Sequence, residues 1–333
     1  MSKIRIAING YGRIGRNLFR LLLNHPTIEV IAINDIADNK TMSHLTKYDS
    51  IHGVLPYEVG FTNSSIIVDK KEYLFFHEKE ISNLDWKTLN IDIVIEATGK
   101  FKTYELANQH ITAGAKKVIL SAPAEDETIK TVVMGINESI LDGSEVIVSN
   151  ASCTTNNAAP MIKVMQSLGE IQQAYITTIH SYTTDQSLHD QPHKDLRRAR
   201  GASQSIVPTT TGAAKAITKI FPHLDGKIGG CGIRVPVPDG SLTDITFNLK
   251  EKVTIEEINN AFKKASETEL SGILAYTEDP IVSVDIIGNP NSCLFDSQLT
   301  SVIDNMVKVV GWYDNEIGYS SRLIDLISFI SKK

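Results

Sequence analysis

Cys153 lies where a strand pattern changes into a helix pattern. The apolar, β-branched run 146–148 comes before it, and the helical pattern of residues 160–165 comes after it. The amides of residues 154–156 therefore begin a helix, and these donors favour a thiolate together with the positive end of the helix dipole. Cys153 is thus either a nucleophile or a small apolar core residue, as buried cysteines more often are.

His180 closes a predicted strand over residues 174–179 and is a candidate general base. Imidazole titrates near neutral pH and can take the proton of a nearby thiol, which would keep Cys153 as a thiolate. The chain contains nine histidines. Because most histidines are structural or lie on the surface, position alone does not decide the role of His180.

Two polar segments farther along the chain contain groups that bind anions. Residues 185–204 are long for a connector and include Arg197, Arg198 and Arg200, which can clamp a phosphate or carboxylate. Residues 209–211 carry hydroxyl groups and come directly before a predicted helix. Hydroxyls and amides at a helix start are a second anion-binding pattern. The alternatives are a solvated basic turn or subunit contact for the first segment and ordinary helix capping for the second.

A glycine fingerprint follows the first predicted strand. Residues 4–8 alternate as a strand, Gly10, Gly12 and Gly15 follow, and residues 17–23 have a helical pattern. In this context the first glycine permits the tight turn, the second lets the backbone approach a pyrophosphate, and the third lets the helix pack on the strand. The sequence therefore predicts a dinucleotide site at the start of this helix.

Two acidic residues after the next predicted strand, residues 28–33, indicate which dinucleotide is preferred. The strand leads to Asp35, near the spacing from Gly15 at which a carboxylate accepts the ribose hydroxyls of NAD. A carboxylate there repels a ribose 2′-phosphate, and Asp38 adds a second negative charge, so NAD is preferred over NADP. Thr98 and Ser121 follow later strands and are further candidate cofactor contacts, with plain turn chemistry as the alternative.

The order of the predicted elements indicates an α/β protein of two domains. A chain of 333 residues exceeds the usual size of a single core. Residues 1–150 predict a Rossmann, doubly wound parallel sheet, and residues 151–316 predict an α+β catalytic domain with a mostly antiparallel sheet. We expect the C-terminal helix, about residues 317–333, to pack back on the first domain. The strands predicted in the second half are residues 174–179, 232–237, 242–249, 282–286, 302–303 and 306–312.

Composition excludes several classes of partner. A net charge of −6 and a pI near 5.9 argue against nucleic acid. No apolar run approaches the roughly 18 residues of a transmembrane helix, and the N-terminus has no signal-peptide pattern. Three cysteines without CxxC spacing predict free thiols in the cytoplasm and no metal site.

Together with the motifs above, short segments spread along the whole chain resemble those of the glyceraldehyde-3-phosphate dehydrogenase family. The matching strings occur in family order without large gaps, and the cysteine motif is highly specific. They are residues 7–16 (AINGYGRIGR), 32–35 (AIND), 47–50 (KYDS), 121–123 (SAP), 151–156 (ASCTTN), 180–183 (HSYT), 194–200 (KDLRRAR), 211–215 (TGAAK), 234–236 (RVP) and 312–316 (WYDNE).

The resemblance implies covalent aldehyde oxidation. Cys153 attacks the aldehyde of glyceraldehyde 3-phosphate, and His180 takes the hydroxyl proton as the hemithioacetal loses hydride to NAD. Inorganic phosphate then attacks the thioester and releases an acyl phosphate.

The resemblance also assigns binding residues. One phosphate site matches Thr183, Arg198 and Arg234, and the other matches Ser152, Thr154, Thr211 and Gly212. The residues assigned to NAD are Arg13 and Ile14 at the pyrophosphate turn, Asp35 at the ribose, Lys79 and Ser121 as further contacts, and Asn315 at the nicotinamide carboxamide. The loop at residues 185–204 resembles one that lines a neighbouring subunit's cofactor site, which implies a homotetramer.

Three positions depart from the family pattern. Asn157 stands where many members have a second cysteine, which predicts lower sensitivity to disulfide formation with Cys153. Ile317 replaces a usual aromatic residue, and Gln191 occupies a position that is often apolar in NAD-preferring members.

Two rival functions remain open. Erythrose-4-phosphate dehydrogenase shares the cysteine and histidine but lets water attack the acyl-enzyme. A non-catalytic dinucleotide-binding or adhesion protein is the rival from another class, and retention of both Cys153 and His180 argues against it.

Overall fold

The computed structural model describes residues 3–333, which divide into two compact units. Unit 1 comprises residues 3–132 together with Glu138–Ala151 and Ser320–Lys333. Unit 2 comprises Val133–Asn137 and Ser152–Tyr319. The chain therefore passes from unit 1 into unit 2 directly before Cys153.

Unit 1 is built on a nine-stranded sheet with the order β10-β11-β9-β8-β1-β2-β7-β6-β5. Pairing is parallel from β10 to β7 and antiparallel from β7 to β5. The strand order reverses beside β1, which is the doubly wound arrangement predicted from the sequence. The strands are β1 (Ile4–Asn9), β2 (Ile28–Asn34), β3 (Tyr48–Asp49), β4 (Gly53–Val54), β5 (Val59–Phe61), β6 (Ser65–Val68), β7 (Lys71–Phe76), β8 (Ile93–Glu96), β9 (Lys117–Leu120), β10 (Lys130–Thr131) and β11 (Ile147–Ser149); the helices are α1 (Arg13–Leu22), α2 (Asn39–Lys47) and α3 (Tyr104–Thr112).

The glycine turn between β1 and α1 has the close packing that the fingerprint predicts. Gly10 has a φ of +96°, and a Cβ at this residue would lie 2.6 Å from the amide nitrogen of Thr98. A Cβ at Gly15 would lie 2.2 Å from the carbonyl oxygen of Gly10, whereas a Cβ at Gly12 would meet nothing within 4 Å. Gly10 and Gly15 are therefore required by packing, and Gly12 faces open space.

Unit 2 is built on an eight-stranded sheet with the order β13-β14-β12-β15-β19-β17-β16, and β18 pairs with β19. The pairs β12–β14 and β16–β17 are parallel, and the others are antiparallel, so the sheet is mixed and mostly antiparallel. The strands are β12 (Ile171–Ser181), β13 (Val207–Thr209), β14 (Ile228–Val235), β15 (Ser241–Leu249), β16 (Leu274–Thr277), β17 (Cys293–Asp296), β18 (Ser301–Ile303) and β19 (Met306–Tyr313); the helices are α4 (Cys153–Leu168), α5 (Ala213–Ile220), α6 (Ile255–Glu267) and α7 (Ile317–Ile330), the last continuing into unit 1.

The strand predicted for residues 282–286 is wrong. Ser283–Ile286 is a 3₁₀ helix, and the Asp285 carboxylate accepts a hydrogen bond of 2.8 Å from the amide of Val282. Val282 and Val284 are exposed, so the apolar run has no sheet face to cover. Local capping therefore outweighs the β propensity of these valines.

Within residues 3–333, no helix has both the length and the apolar character needed to cross a membrane.

The glycine turn makes a stability prediction. Gly15→Ala should lower the free energy of unfolding by about 2 kcal/mol or more, because the new methyl group would overlap the Gly10 carbonyl. Gly12→Ala is the matched control and should change stability by less than about 0.5 kcal/mol. Urea unfolding followed by circular dichroism measures both, and equal losses would contradict the packing argument.

Candidate active site

Cys153 is the first residue of α4, as the sequence pattern predicts. Ser152 is the N-cap, and its hydroxyl accepts a hydrogen bond of 3.1 Å from the amide of Thr155. Ala151 has a φ of +56°, which is uncommon for alanine, so the chain turns sharply just before the helix. The thiol therefore lies at the positive end of a sixteen-residue helix.

The thiol of Cys153 lies against the side chain of His180 on β12. The distance from Cys153 Sγ to His180 Nε2 is 3.4 Å. His180 Nδ1 lies 2.8 Å from the Ser181 carbonyl oxygen, and Arg234 Nη1 donates to the same carbonyl at 2.9 Å. The tautomer that carries its proton on Nδ1, directed to that carbonyl, would leave Nε2 free to accept the proton of the thiol.

Burial favours the neutral forms of this pair. It raises the pKa of the Cys153 thiol, although the Arg234 guanidinium and the amide of Thr154 oppose the rise. Burial and, second, the charge of Arg234, whose Nη1 is 2.5 Å from Nδ1, lower the pKa of His180 to about 3. Burial therefore opposes the thiolate that the start of the helix favours, and it also opposes the charged imidazole.

Two further side chains, which sequence reasoning missed, surround this pair. The Tyr313 hydroxyl lies 3.0 Å from Thr154 Oγ1 and 3.0 Å from Thr178 Oγ1. The Tyr313 ring meets the His180 ring edge to face, with 6.0 Å between centroids. Burial raises the pKa of Tyr313, so its hydroxyl stays neutral and fixes Thr154 beside the thiol. The only sequence signal for Tyr313 was the family string at residues 312–316, which gave it no role.

The first predicted anion set includes two arginines that are close enough to interact. Burial lowers the pKa of the Arg234 guanidinium, and the charge of Arg198 acts in the same direction. Arg198 Nη1 is 2.5 Å from an Asp185 oxygen, and Arg198 Nε donates to Thr209 Oγ1 at 2.9 Å. Thr183 is half-buried. Two guanidinium groups whose charges act on each other favour a doubly charged anion.

The second predicted anion set lies at two helix starts. Ser152 caps α4, and Thr154 is in its first turn. Thr211 Oγ1 accepts a hydrogen bond of 3.2 Å from the amide of Ala213, and Gly212 is the N-cap of α5. The hydroxyls of Ser152 and Thr211 therefore cap helices, and both helix starts offer amide donors to an anion.

In unit 1, the start of α1 and Asp35 lie at the carboxyl ends of neighbouring strands. Asp35 Oδ2 accepts a hydrogen bond of 2.7 Å from the amide of Tyr11, and Oδ1 accepts one of 3.0 Å from the amide of Ala37. The side chain is half-buried. Its carboxylate is thus fixed beside the glycine turn, where ribose hydroxyls can donate to its remaining lone pairs.

The other predicted cofactor residues differ in how they are held. The Arg13 side chain forms a two-pronged ion pair with Asp49, at 2.5 and 3.0 Å, so Arg13 and Ile14 can serve a pyrophosphate through their backbone. The amide of Ser121 donates 2.9 Å to the carbonyl of Glu96. Lys79 is exposed and makes no hydrogen bond or ion pair with the residues that the structure describes.

A buried carboxylate that sequence reasoning missed holds Thr98. Glu96 Oε1 accepts from the amide of Thr98 at 2.8 Å and also from its hydroxyl. Glu96 Oε2 accepts from Asn9 Nδ2 at 2.6 Å and lies 3.1 Å from His110 Nε2. Trp86 Nε1 donates to His110 Nδ1 at 3.1 Å, so the proton of the neutral ring is on Nε2 and points to Glu96. Four donors therefore satisfy the carboxylate.

Each of the three residues that depart from the family pattern makes hydrogen bonds within its own unit. Asn157 is buried, and its Nδ2 lies 3.2 Å from the carbonyl oxygens of both Ser292 and Trp312, so it ties α4 to the sheet. The amide of Ile317 donates 2.7 Å to Asp314 at the start of α7. The Gln191 side chain donates to the Ser187 hydroxyl.

Comparisons with known proteins agree along the whole chain. Residues 4–104 match the family model described as "Glyceraldehyde 3-phosphate dehydrogenase, NAD binding domain", and residues 152–315 match the model of the C-terminal domain. The chain is 53% identical over 333 residues to glyceraldehyde-3-phosphate dehydrogenase 2 of Streptomyces avermitilis. It is 53% identical over 337 residues to the enzyme of Mycobacterium avium and 51% identical over 332 residues to that of Geobacillus stearothermophilus. Each match covers 99% of both chains.

The thiol and imidazole pair makes a reactivity prediction. His180→Gln should slow alkylation of Cys153 by iodoacetamide at pH 7 by about tenfold or more, because it removes the base that accepts the thiol proton. Cys231 is the internal control, because it lies on β14 with its thiol near Thr177. Peptide mass spectrometry measures both rates, and parallel slowing of both would show that the substitution acts through the fold.

The Glu96 cluster makes a second stability prediction. Glu96→Gln should lower the free energy of unfolding by about 1–3 kcal/mol, because the new amide NH₂ must face a buried donor. The exposed Glu80→Gln is the matched control and should be neutral. Chemical unfolding measures the difference, and a neutral Glu96→Gln would mean that the acceptor pattern is not required.

Proposed function

The chain belongs to the glyceraldehyde-3-phosphate dehydrogenase family and is an NAD-dependent dehydrogenase, and we propose that it converts D-glyceraldehyde 3-phosphate and inorganic phosphate to 1,3-bisphosphoglycerate in glycolysis and gluconeogenesis. The observation that carries the proposal is the 3.4 Å approach of Cys153 Sγ to His180 Nε2, with Arg234 beside the same imidazole. This arrangement combines a nucleophile, a base and an anion-binding cation.

The residues of unit 1 fit NAD. A Cβ at Gly12 would meet no atom within 4 Å, so the turn leaves open space against the first amides of α1. Asp35 holds a carboxylate beside that turn, which suits the ribose hydroxyls and opposes a 2′-phosphate. We assign Arg13, Ile14, Asp35, Lys79, Thr98 and Ser121 of unit 1 to this cofactor, and the family resemblance adds Asn315 of unit 2. When bound, NAD supplies the acceptor for the hydride.

In the first half of the reaction, His180 moves a proton twice. Nε2 takes the thiol proton as Cys153 sulfur attacks the aldehyde carbon, and returns it to the carbonyl oxygen, giving a hemithioacetal. Nε2 then takes the proton of that hydroxyl as the hydride leaves carbon, which gives the thioester. The depressed pKa of His180 keeps the ring neutral, as a proton acceptor must be, but it also makes the ring a weaker base.

Arg198, Arg234 and Thr183 bind the substrate phosphate in this proposal. Arg234 lies against the imidazole, so a bound dianion would offset the charge that lowers the pKa of His180. Proton uptake by His180 would thus become easier when substrate is present. Arg198 must exchange its ion pair with Asp185 for the phosphate.

The second half needs an acceptor for the acyl group. We assign inorganic phosphate to Ser152, Thr154, Thr211 and Gly212, which lie at the starts of α4 and α5. A phosphate oxygen attacks the thioester carbon, the sulfur of Cys153 leaves, and the proton on His180 returns to it. The helix-start amides offset the negative charge of the attacking phosphate.

We further propose a cytoplasmic homotetramer. Three apolar side chains in or next to the loop at residues 185–204 are highly exposed: Leu188, Leu196 and Ile206. This exposure fits a surface that another subunit covers. The three cysteines, Cys153, Cys231 and Cys293, are free thiols, which fits a reducing compartment.

The test is NADH formation at 340 nm from glyceraldehyde 3-phosphate, with and without inorganic phosphate. We expect a phosphate-dependent rate that falls at least about a thousandfold in Cys153→Ala, because covalent catalysis requires the thiol. The matched control is Cys231→Ala, which should stay within about twofold.

Each other outcome identifies a different function. A rate independent of phosphate would contradict the second anion site and favour the hydrolytic erythrose-4-phosphate dehydrogenase chemistry. No NADH from the unaltered protein would favour the non-catalytic binding role.

A further inference from the structure

Three buried polar side chains meet beside the catalytic histidine in unit 2. Ser181 ends β12, Ser241 begins β15, and Asn315 comes two residues after the end of β19. Their exposed fractions are 0%, 1% and 7%. Of these three residues, the resemblance assigns only Asn315 to the cofactor, so the two serine hydroxyls have no role in the chemistry described above.

Both serine hydroxyls donate to the same oxygen. Ser181 Oγ is 2.8 Å from Asn315 Oδ1, and Ser241 Oγ is 2.7 Å from it. Ser241 Oγ also accepts a hydrogen bond of 3.1 Å from the amide of Ser181. The Ser241 oxygen is thus held by a fixed backbone donor, and its hydrogen points to Asn315.

The opposite orientation of the Asn315 amide is unfavourable. With Nδ2 in place of Oδ1, both hydroxyls would have to accept, and their hydrogens would lack a good acceptor among the described residues. The best remaining geometry is the 3.5 Å separation of the two serine oxygens. Buried hydroxyl hydrogens without an acceptor are penalised, so the serine pair selects one amide orientation.

The backbone at Asn315 is fixed separately. The Asp314 carboxylate accepts from the amides of Gly288 at 2.7 Å, Glu316 at 2.8 Å and Ile317 at 2.7 Å. Rotation of the Asn315 side chain is therefore the main freedom that remains. Its Nδ2 makes no hydrogen bond within residues 3–333 and is available to a ligand.

We propose that Ser181 and Ser241 are positioning residues that hold the Asn315 amide with Nδ2 directed to the cofactor. Asn315 Nδ2 would then donate a hydrogen bond to a carbonyl oxygen attached to the pyridine ring. It could not accept one from an amino group at that position. This inference rests on the proposed function, since it takes Asn315 to be the carboxamide contact.

Ser181 would then orient both the base and the cofactor contact. Its carbonyl oxygen lies 2.8 Å from His180 Nδ1 and accepts from Arg234 Nη1, while its hydroxyl orients Asn315. One residue thereby sets the orientation of the base and of the cofactor amide.

Binding of two cofactor analogues by isothermal titration calorimetry tests the proposal. The 3-acetylpyridine analogue keeps the carbonyl and lacks the NH₂, whereas the 3-aminopyridine analogue offers an amine without a carbonyl. The unaltered protein should bind the acetyl analogue within about threefold of NAD and the amino analogue at least about tenfold more weakly, the effect of one lost hydrogen bond.

The variant Ser181→Ala/Ser241→Ala frees the amide to rotate, so the preference for the acetyl analogue should fall to about threefold or less. Ser181→Thr keeps a hydroxyl and should retain the preference of the unaltered protein. The matched control is Thr243→Val, because Thr243 is a buried residue of β15 whose hydroxyl has no partner among the described residues. This control should also keep the preference.

The outcomes separate this inference from the proposed function. NAD binding with an unchanged analogue preference in the double variant overturns the positioning role alone. Absence of NAD binding by the unaltered protein overturns the cofactor assignment, and the positioning role with it. Should the double variant not fold, each single alanine variant retains one donor and should show an intermediate preference; an unchanged preference in both overturns the inference.

Discussion

The candidate active site of unit 2 depends on the parallel pairing of β12 with β14, in which His180 lies opposite Arg234. This register brings a base and a cation 54 positions apart in the chain to within 2.5 Å. The next pairing, β15 with β19, sets Ser241 opposite Tyr313 and brings Asn315 to the same end of the sheet. A slip of one residue in either pair would turn these side chains to the other face, so strand register determines the chemistry.

Burial sets the charge states within that arrangement. Burial opposes charge on the thiol and the imidazole and lowers the pKa of the guanidinium beside them. Burial therefore favours the neutral thiol and the neutral imidazole, and the Arg234 guanidinium lies directly against the imidazole. An anion bound at Arg234 would change this balance, and in the proposed function it would link phosphate binding to proton uptake by His180.

Unit 1 also contains a buried polar cluster, which is centred on the Glu96 carboxylate. Glu96 is 3% exposed, and donors from Asn9, Thr98 and His110 satisfy its carboxylate without a cation. In both units a buried polar group thus fixes the orientation of a predicted cofactor contact, Thr98 in unit 1 and Asn315 in unit 2. Such networks are rigid because an unsatisfied member is strongly unfavourable in a low-dielectric interior.

Local sequence determined the glycine turn of Gly10, Gly12 and Gly15, the start of α4 at Cys153, and the alternation of strands and helices, because these features depend on backbone freedom, capping and periodicity between near neighbours. Family strings added Arg234 and Asn315, which no spacing rule would have identified. The 3₁₀ helix at Ser283–Ile286 was mispredicted because capping by Asp285 and lack of burial outweigh propensity. Tertiary structure alone decided the pKa shifts of Cys153 and His180, the Glu96 cluster and the serine pair at Asn315, because each depends on burial and on hydrogen bonds between residues far apart in the chain.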